Sequence, residues 1–344
     1  MTTQKALLIK EKQGPFILET RPIPRPGAGE ILIKIQAAAL NPADWKIQKA
    51  GLFIQTYPAI IGFDVAGDVE EIGEGVEGFE KGDRVFASTF FPSGFSAFQQ
   101  YTLMPADLVG KMPPSLDYPE ASSIPAAYAT ASIGLLAALP AGAGLNPTLD
   151  PTVSYAGQPA FVFGGSSSVG QFAIQILRNL KYSPLITYAS GKHTAFLKSL
   201  GATHVIDRTA VPTADVPAAV RQLTGTGGAP PLKIVYDAIS EPDTLDACFA
   251  SVAEGGIVVA VLQGAPRDEG GKKLIRIQAS PHLQREFGVS MWKTLVREVE
   301  EGVIVPNRVE KLPGGLAGIP DGLKRLENNQ VSGVKLVALP QETA

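Results

Sequence analysis

The chain has 344 residues, more than one core ordinarily serves, and its 45% hydrophobic and 18% charged content is a globular balance that excludes disorder; two domains are expected. A formal net charge of −3, with no block of like charge, offers no footprint for nucleic acid or an anionic membrane. The single cysteine, Cys248, excludes an intrachain disulfide and any cysteine-rich zinc site.

Lys5 and Lys10 interrupt the first ten residues, so there is no signal-peptide apolar region and a cytoplasmic protein is expected. The first third reads as strands at Ala6–Lys10, Phe16–Thr20, Ile31–Ala39, Asp64–Ile72, Asp83–Ser88 and Phe95–Met104, separated by turn clusters such as Pro22–Gly27 and Glu80–Asp83. This pattern predicts a small, irregular, barrel-like unit. Ala121–Leu149 carries no charge, but Pro125 and Pro140 bound its apolar centre, Ala126–Leu139. That stretch is too short to span a bilayer and predicts a buried helix. Pro140–Gly157 shows neither helical nor strand period and reads as a surface loop.

From Phe161 the rhythm changes. The strand Phe161–Gly165 precedes Val169, Phe172, Ala173, Ile176, Leu177 and Leu180, which form one apolar helix face. Strand Leu185–Ser190, helix His193–Leu200, strand His204–Asp207, helix Asp215–Leu223, strand Lys233–Ala238, helix Pro242–Val252 and strand Gly256–Leu262 follow. Strands alternating with amphipathic helices predict βαβ crossovers and a parallel sheet. A helix after Ser290, the Pro306–Pro313 segment, a helix near Gly318–Asn328 and strand Lys335–Leu339 close the chain and are expected to complete the first domain. The expected domains are therefore 1–125, completed by about 290–344, and 126–289.

The turn Gly164-Gly165-Ser166-Ser167-Ser168-Val169-Gly170 fits G-x-G-x-x-G with Ser167 in the middle glycine's place. Such a turn needs a backbone that comes close to a pyrophosphate and a helix start whose free N–H groups face the anion; serine hydroxyls add donors. A Gly/Ser turn that only caps a helix satisfies the same pattern. Its position between an apolar strand and an amphipathic helix, with further βα units behind it, favours a dinucleotide. Where an NAD site usually has an acid after the next strand, this chain has Ser190-Gly191-Lys192, and Arg208 ends the strand after that. A hydroxyl and two cations suit a 2′-phosphate, so NADPH is the expected cofactor.

Beyond this turn, Asn41–Lys46, Gly62–Gly67, Gly82–Val85, Pro313–Leu316 and Ser332–Val337 occur in an order and spacing that resemble the medium-chain dehydrogenase/reductase superfamily in its zinc-free branch. Fungal enoyl-reductase-like proteins are the nearer likeness, NADPH quinone reductases the more distant. The resemblance implies an α/β fold with a GroES-like β-rich catalytic domain, a Rossmann doubly wound parallel-sheet domain, and a cleft between them. Zinc-dependent relatives carry cysteine and histidine where this chain has Asp44 and Phe63, and a four-cysteine lobe that is missing around Phe90–Met104; no zinc is expected. Lys46 then resembles a lysine near the substrate and Thr130 a residue beside the nicotinamide. Tyr57 is a further candidate proton donor, and Asp64 is expected to support the site backbone. Leu262 and Lys335 join Gly164–Gly170, Ser190, Lys192 and Arg208 in the implied cofactor set.

The expected activity is zinc-independent, NADPH-dependent reduction of an activated C=C bond in an enoyl or enone substrate, free or bound to a carrier protein. A quinone reductase and a non-catalytic NADPH-binding protein are the alternatives. Lys46 favours the first over the second, because quinone reductases often carry a tyrosine there. No nucleic-acid or membrane partner is expected, and either a monomer or a homodimer fits.

Overall fold

Apolar runs broken by proline- and glycine-rich turns build the strands, and 3.6-residue apolar periods build the helices between them. The computed structural model describes residues 2–90, 93–225, 230–262 and 264–344. In chain order the elements are β1 (Thr3–Ile9), β2 (Phe16–Pro22), β3 (Glu30–Ala39), α1 (Pro42–Ala50), β4 (Ala59–Ile60), β5 (Asp64–Ile72), β6 (Arg84–Ser88), β7 (Tyr101–Pro105), β8 (Val109–Lys111), α2 (Tyr118–Ser122) and α3 (Pro125–Leu136). There follow β9 (Ala160–Phe163), α4 (Ser168–Asn179), β10 (Leu185–Ala189), α5 (Thr194–Leu200), β11 (His204–Asp207), α6 (Val216–Thr224), β12 (Ile234–Asp237), α7 (Pro242–Ser251) and β13 (Ile257–Ala260). The last elements are β14 (Arg267–Glu269), β15 (Lys272–Arg276), α8 (Arg285–Glu300), β16 (Val309–Lys311), α9 (Ile319–Glu327) and β17 (Lys335–Ala338). The chain divides into two compact units, residues Met1–Ala126 with Trp292–Ala344, and residues Ala127–Met291. Among the described residues no helix is long and apolar enough to cross a membrane.

The first unit has a small sheet of order β2-β1-β4 and a larger one of order β16-β17-β3-β5-β6-β8, with β7 also paired to β3. Along β3, Ile31, Ile33 and Ile35 face the main core; then the register with β5 shifts between Ile35 and Ala37. An extra residue in one strand reverses the parity of everything after it. Hence Ala38 and Leu40 face the core, while Ala37 and Ala39 turn to the other side with Val337. This bulge leads the chain into α1. Phe95–Met104 departs from the expected single strand. Ser93–Phe95 is a 3₁₀ turn, and the backbone of Ala97 and Phe98 bonds to Gly62 and Ile61 before β7 begins. Phe98 is fully buried, and seating its ring there bends the segment away from a straight ladder.

The second unit is a sheet of order β11-β10-β9-β12-β13-β15-β14, parallel throughout except for the β14–β15 hairpin. Strand order runs outward in both directions from β9, so the topological switch point lies between β9 and β12. In open α/β sheets ligands bind outside the carboxyl ends of strands at such a point. The Gly164–Gly170 turn leaves the sheet there. The β14–β15 hairpin closes on Gly270-Gly271, both at positive φ, a local turn signal left unread because all three residues of β14 are exposed and nothing alternates beside it.

Candidate functional site

All four residues of β9 are buried, which fixes where the chain emerges at Gly164. Gly164 has φ 78°, a left-handed conformation that favours glycine. A Cβ on Gly165 would lie 1.9 Å from Thr187 Oγ1, and one on Gly170 would lie 2.3 Å from the Gly164 carbonyl oxygen. The turn is therefore closed to any larger residue at both positions. Ser167 caps α4, its Oγ accepting from the Gly170 N–H at 3.1 Å. The Ser166 carbonyl accepts from Gln171 Nε2 at 3.0 Å, which pins the loop from the helix side. Ser166, Ser167, Ser168 and Val169 are half-buried, and the first turn of α4 holds no acid. The result is a bare backbone cradle at the positive end of a 12-residue helix, a fit for a diphosphate.

The parallel pairing of β10 with β11 places Ala189 beside Asp207, so Ser190, Lys192 and Arg208 leave the sheet at the same end. The Arg208 N–H donates to the Ala189 carbonyl at 3.0 Å. Lys192 and Arg208 are exposed, and neither has an ion-pair partner among the described residues. Ser190 makes no side-chain cap bond. Leu262 is half-buried beyond the end of β13, and its carbonyl accepts from Arg276 Nη1 at 3.3 Å.

Sequence reasoning missed Asp237 and Ser240. Asp237 is fully buried at the end of β12, where its Oδ1 accepts from the N–H of Ile239 and of Ser240 at 2.9 Å each and its Oδ2 accepts from Thr244 Oγ1 at 2.7 Å. Burial raises its carboxyl above the ordinary value against the pull of these bonds. Ser240, at φ 63°, accepts through Oγ from the Val261 N–H at 2.8 Å and so ties the end of β12 to that of β13. The turn holds Ile239 over Gly164, where an added Cβ would meet its Cγ1 at 2.6 Å. The available signal was a buried-strand Asp followed by a Ser two residues before a helix-start proline.

In the first unit a buried polar cluster supports α1. Lys335 Nζ, 3% exposed as a residue, donates to Asn41 Oδ1 at 2.6 Å and lies 3.0 Å from Asp64 Oδ2. Asn41 Nδ2 donates to the same Asp64 oxygen at 2.8 Å, and Asp64 Oδ1 accepts from the Ala126 N–H at 2.6 Å. The Asn41 side chain is thus spent on Asp64 and Lys335 instead of capping α1. Asp44 supplies the other half of the cap, accepting from the Asn41 N–H at 2.7 Å. Lys335, expected with the cofactor set, directs its ammonium into this cluster because a buried charge needs paired acceptors. Asp64 holds α1 through Asn41 and the start of α3 through Ala126.

Burial of Asp44, with Asp64 nearby, pushes its carboxyl up to about 8 from 3.8, although the Asn41 N–H and Lys335 act the other way. A carboxyl that binds its proton more tightly when folded adds stability that is complete below about pH 4. That contribution is lost as pH rises to about 8. Between pH 5 and 8.5 the melting temperature is therefore expected to fall more steeply in the wild type than in Asp44→Asn, where the amide has no proton to lose. Parallel slopes in thermal unfolding scans would refute the assignment.

Lys46 is half-buried on α1, with Nζ 5.6 Å from the centroid of the Trp45 ring and no carboxylate partner among the described residues. Tyr57 lies in the connection from α1 to β4, packed against the core, and its buried hydroxyl has no hydrogen-bond partner among the described residues. Thr130 lies on α3, half-buried, and its carbonyl accepts from Tyr236 Oη at 2.9 Å. Lys46, Tyr57 and Lys335 thus belong to the first unit, Thr130 and the Gly164–Gly170, Ser190, Lys192, Arg208 and Leu262 set to the second. Among the described residues no three His, Cys, Asp or Glu come together to hold a metal.

A β-rich unit with a bulged entry to a lysine-bearing helix, and a parallel-sheet unit with a glycine turn at its switch point, are the two parts of a two-domain α/β fold, the second Rossmann-like. The family described as Alcohol dehydrogenase GroES-like domain matches residues 27–114, and that described as Zinc-binding dehydrogenase matches residues 168–290. The trans-enoyl reductase tndF of Aspergillus flavipes is 32% identical over 97% of this chain and 98% of its own. A mycobacterial quinone oxidoreductase structure is similar at TM-score 0.75 and 26% identity, covering 98% of this chain and 100% of that one. A mycobacterial protein solved in complex with NADPH aligns at TM-score 0.79 and 25% identity, over 98% of this chain and 100% of its own. The chain belongs to the medium-chain dehydrogenase/reductase superfamily.

Proposed function

We propose that the protein is an NADPH-dependent reductase of an activated carbon–carbon double bond, acting on an enoyl or enone substrate without zinc. The observation that carries this reading is Lys46, a half-buried cation without a carboxylate partner on a helix anchored by the Asn41–Asp64–Lys335 cluster. The likeness to a trans-enoyl reductase over nearly the whole chain supports the substrate class. Gly164–Gly170 would hold the diphosphate of the cofactor, and Ser190, Lys192 and Arg208 its 2′-phosphate. The chemistry that NADPH would supply, held there, is a hydride for the β-carbon.

The chain's own part is electrostatic and positional. Negative charge gathers on the substrate carbonyl oxygen as the double bond is reduced, and the Lys46 ammonium opposes it; donors preorganised toward developing charge are usually the largest catalytic contribution. The α-carbon takes its proton from Lys46, Tyr57 or water. Lys335 acts from within as a positioning residue, fixing Asn41 at the start of α1. Thr130, on α3, would lie beside the nicotinamide.

NADPH consumption against a panel of enoyl thioesters, enones and quinones tests the reading. Turnover confined to quinones would transfer it to the second reading, quinone reduction, which the likeness to the mycobacterial quinone oxidoreductase supports. Binding of NADPH without any turnover would leave a cofactor-binding protein. NADPH is expected to bind at least about tenfold more tightly than NADH, a difference of about 1.4 kcal/mol. Replacing Lys192 and Arg208 together by Ala should erase most of that preference and leave NADH binding nearly unchanged. A double variant that discriminates like the wild type would remove these residues from the site.

A further inference from the structure

The carboxylate that ends β11 is built into the turn of the neighbouring strand. Asp207 Oδ1 accepts from the Gly191 N–H at 2.9 Å and from the Thr209 N–H at 3.0 Å. Asp207 Oδ2 lies so close over Gly191 that a Cβ there would be 2.2 Å from it. Only glycine at position 191 admits this contact. The bonds from Thr209 and Gly191 hold the Asp207 carboxyl below its ordinary value, so it stays ionised. Lys192 follows Gly191, and Arg208 stands between Asp207 and Thr209. Both cations are exposed and neither has a salt-bridge partner among the described residues, although Asp207 is adjacent to Arg208 in sequence and feels its charge.

A carboxylate in this neighbourhood ordinarily works against a 2′-phosphate by repulsion. Here its charge is committed to the N–H groups of Thr209 and Gly191 and to the Thr209 hydroxyl, with a smaller attraction from Arg208. Resting on the cofactor reading above, we infer that Asp207 is a specificity-determining positioning residue, which joins the turn carrying Lys192 to the turn carrying Arg208 so that both cations meet one 2′-phosphate. Without this link the two turns are joined only by the Arg208 N–H to Ala189 carbonyl bond, and ordering what lies beyond it when the phosphate arrives costs conformational entropy. NADH, which lacks the phosphate, gains nothing from the link.

Binding of NADPH, NADH and 2′,5′-ADP, measured by calorimetry without substrate, separates this role from a general structural one. In Asp207→Ala the ratio of NADPH to NADH affinity should fall by about fivefold or more, the equivalent of about 1 kcal/mol, and 2′,5′-ADP binding should weaken in step. Gly191→Ala should do the same from the other side, because its methyl group displaces the carboxylate without removing any charge. Asp207→Asn retains the accepting oxygen and should keep the ratio within about twofold of wild type. An unchanged or increased ratio in Asp207→Ala overturns the inference, as does an Asn variant that behaves like the Ala variant. If the wild type itself shows no preference for NADPH, the cofactor reading fails before any variant is compared.

Discussion

Lys46→Met is expected to lower the rate of enoyl or enone reduction by roughly 10²-fold, the low end of what a lost acid–base group costs. Methionine keeps an unbranched stem of similar length, so the packing of α1 against the core through Trp45 is preserved while the charge is removed. The cluster beneath the helix, Asn41 with Asp64 and Lys335, does not touch the Lys46 ammonium, so thermal stability should hold. NADPH affinity should barely change, because Lys46 and the Gly164–Gly170 cradle belong to different units. Quinone reduction needs no proton placed on carbon and should fall much less. If Lys46→Met reduces enones and quinones as fast as wild type, the lysine is a bystander and Tyr57 or water is the proton source. If both activities fall together with a lower melting temperature, its role is structural.

Ser167→Asp should weaken NADPH binding by about 10²-fold or more without harm to the fold. Aspartate is as good an N-cap as serine, so the Gly170 N–H keeps its acceptor and α4 keeps its start. The same carboxylate, however, adds a negative charge where the cradle would meet a diphosphate. Unit charges about 4 Å apart at an effective dielectric near 20 interact by about 4 kcal/mol, enough to dominate the favourable helix end. Ser167→Ala provides the contrast, since it loses the cap and about 1 kcal/mol of stability but adds no charge. The two variants should therefore separate, the first failing in binding and the second in melting temperature. Unchanged NADPH affinity in Ser167→Asp would place the diphosphate elsewhere.

The cradle was legible because its signals are local. Gly164, Gly165, Ser167 and Gly170 lie within one strand-to-helix turn, and the apolar face from Val169 to Leu180 announces the helix that follows. Ser190, Lys192 and Arg208 were found by counting strands, which parallel pairing of β10 and β11 then brings to one sheet end. Lys46 came from the resemblance and not from any pattern of its own, for a lysine on a nine-residue helix looks like an ordinary solvated one.

What the amino-acid sequence determined by itself is the alternation of strand and helix, the tight glycine-rich turn after β9 and the family, because side-chain period, turn chemistry and motif order are all written in neighbouring residues. What tertiary structure decided are the contacts between residues distant along the chain. Lys335 meets Asn41 across 294 positions, and nothing near either residue says that an ammonium will be buried there. The β3 bulge sets which face of the sheet Ala37–Leu40 present, and only pairing with β5 produces it. Asp207 reads as the last residue of a strand until the parallel ladder brings it to Gly191. In each case burial and pairing follow from chain closure, which local sequence does not encode.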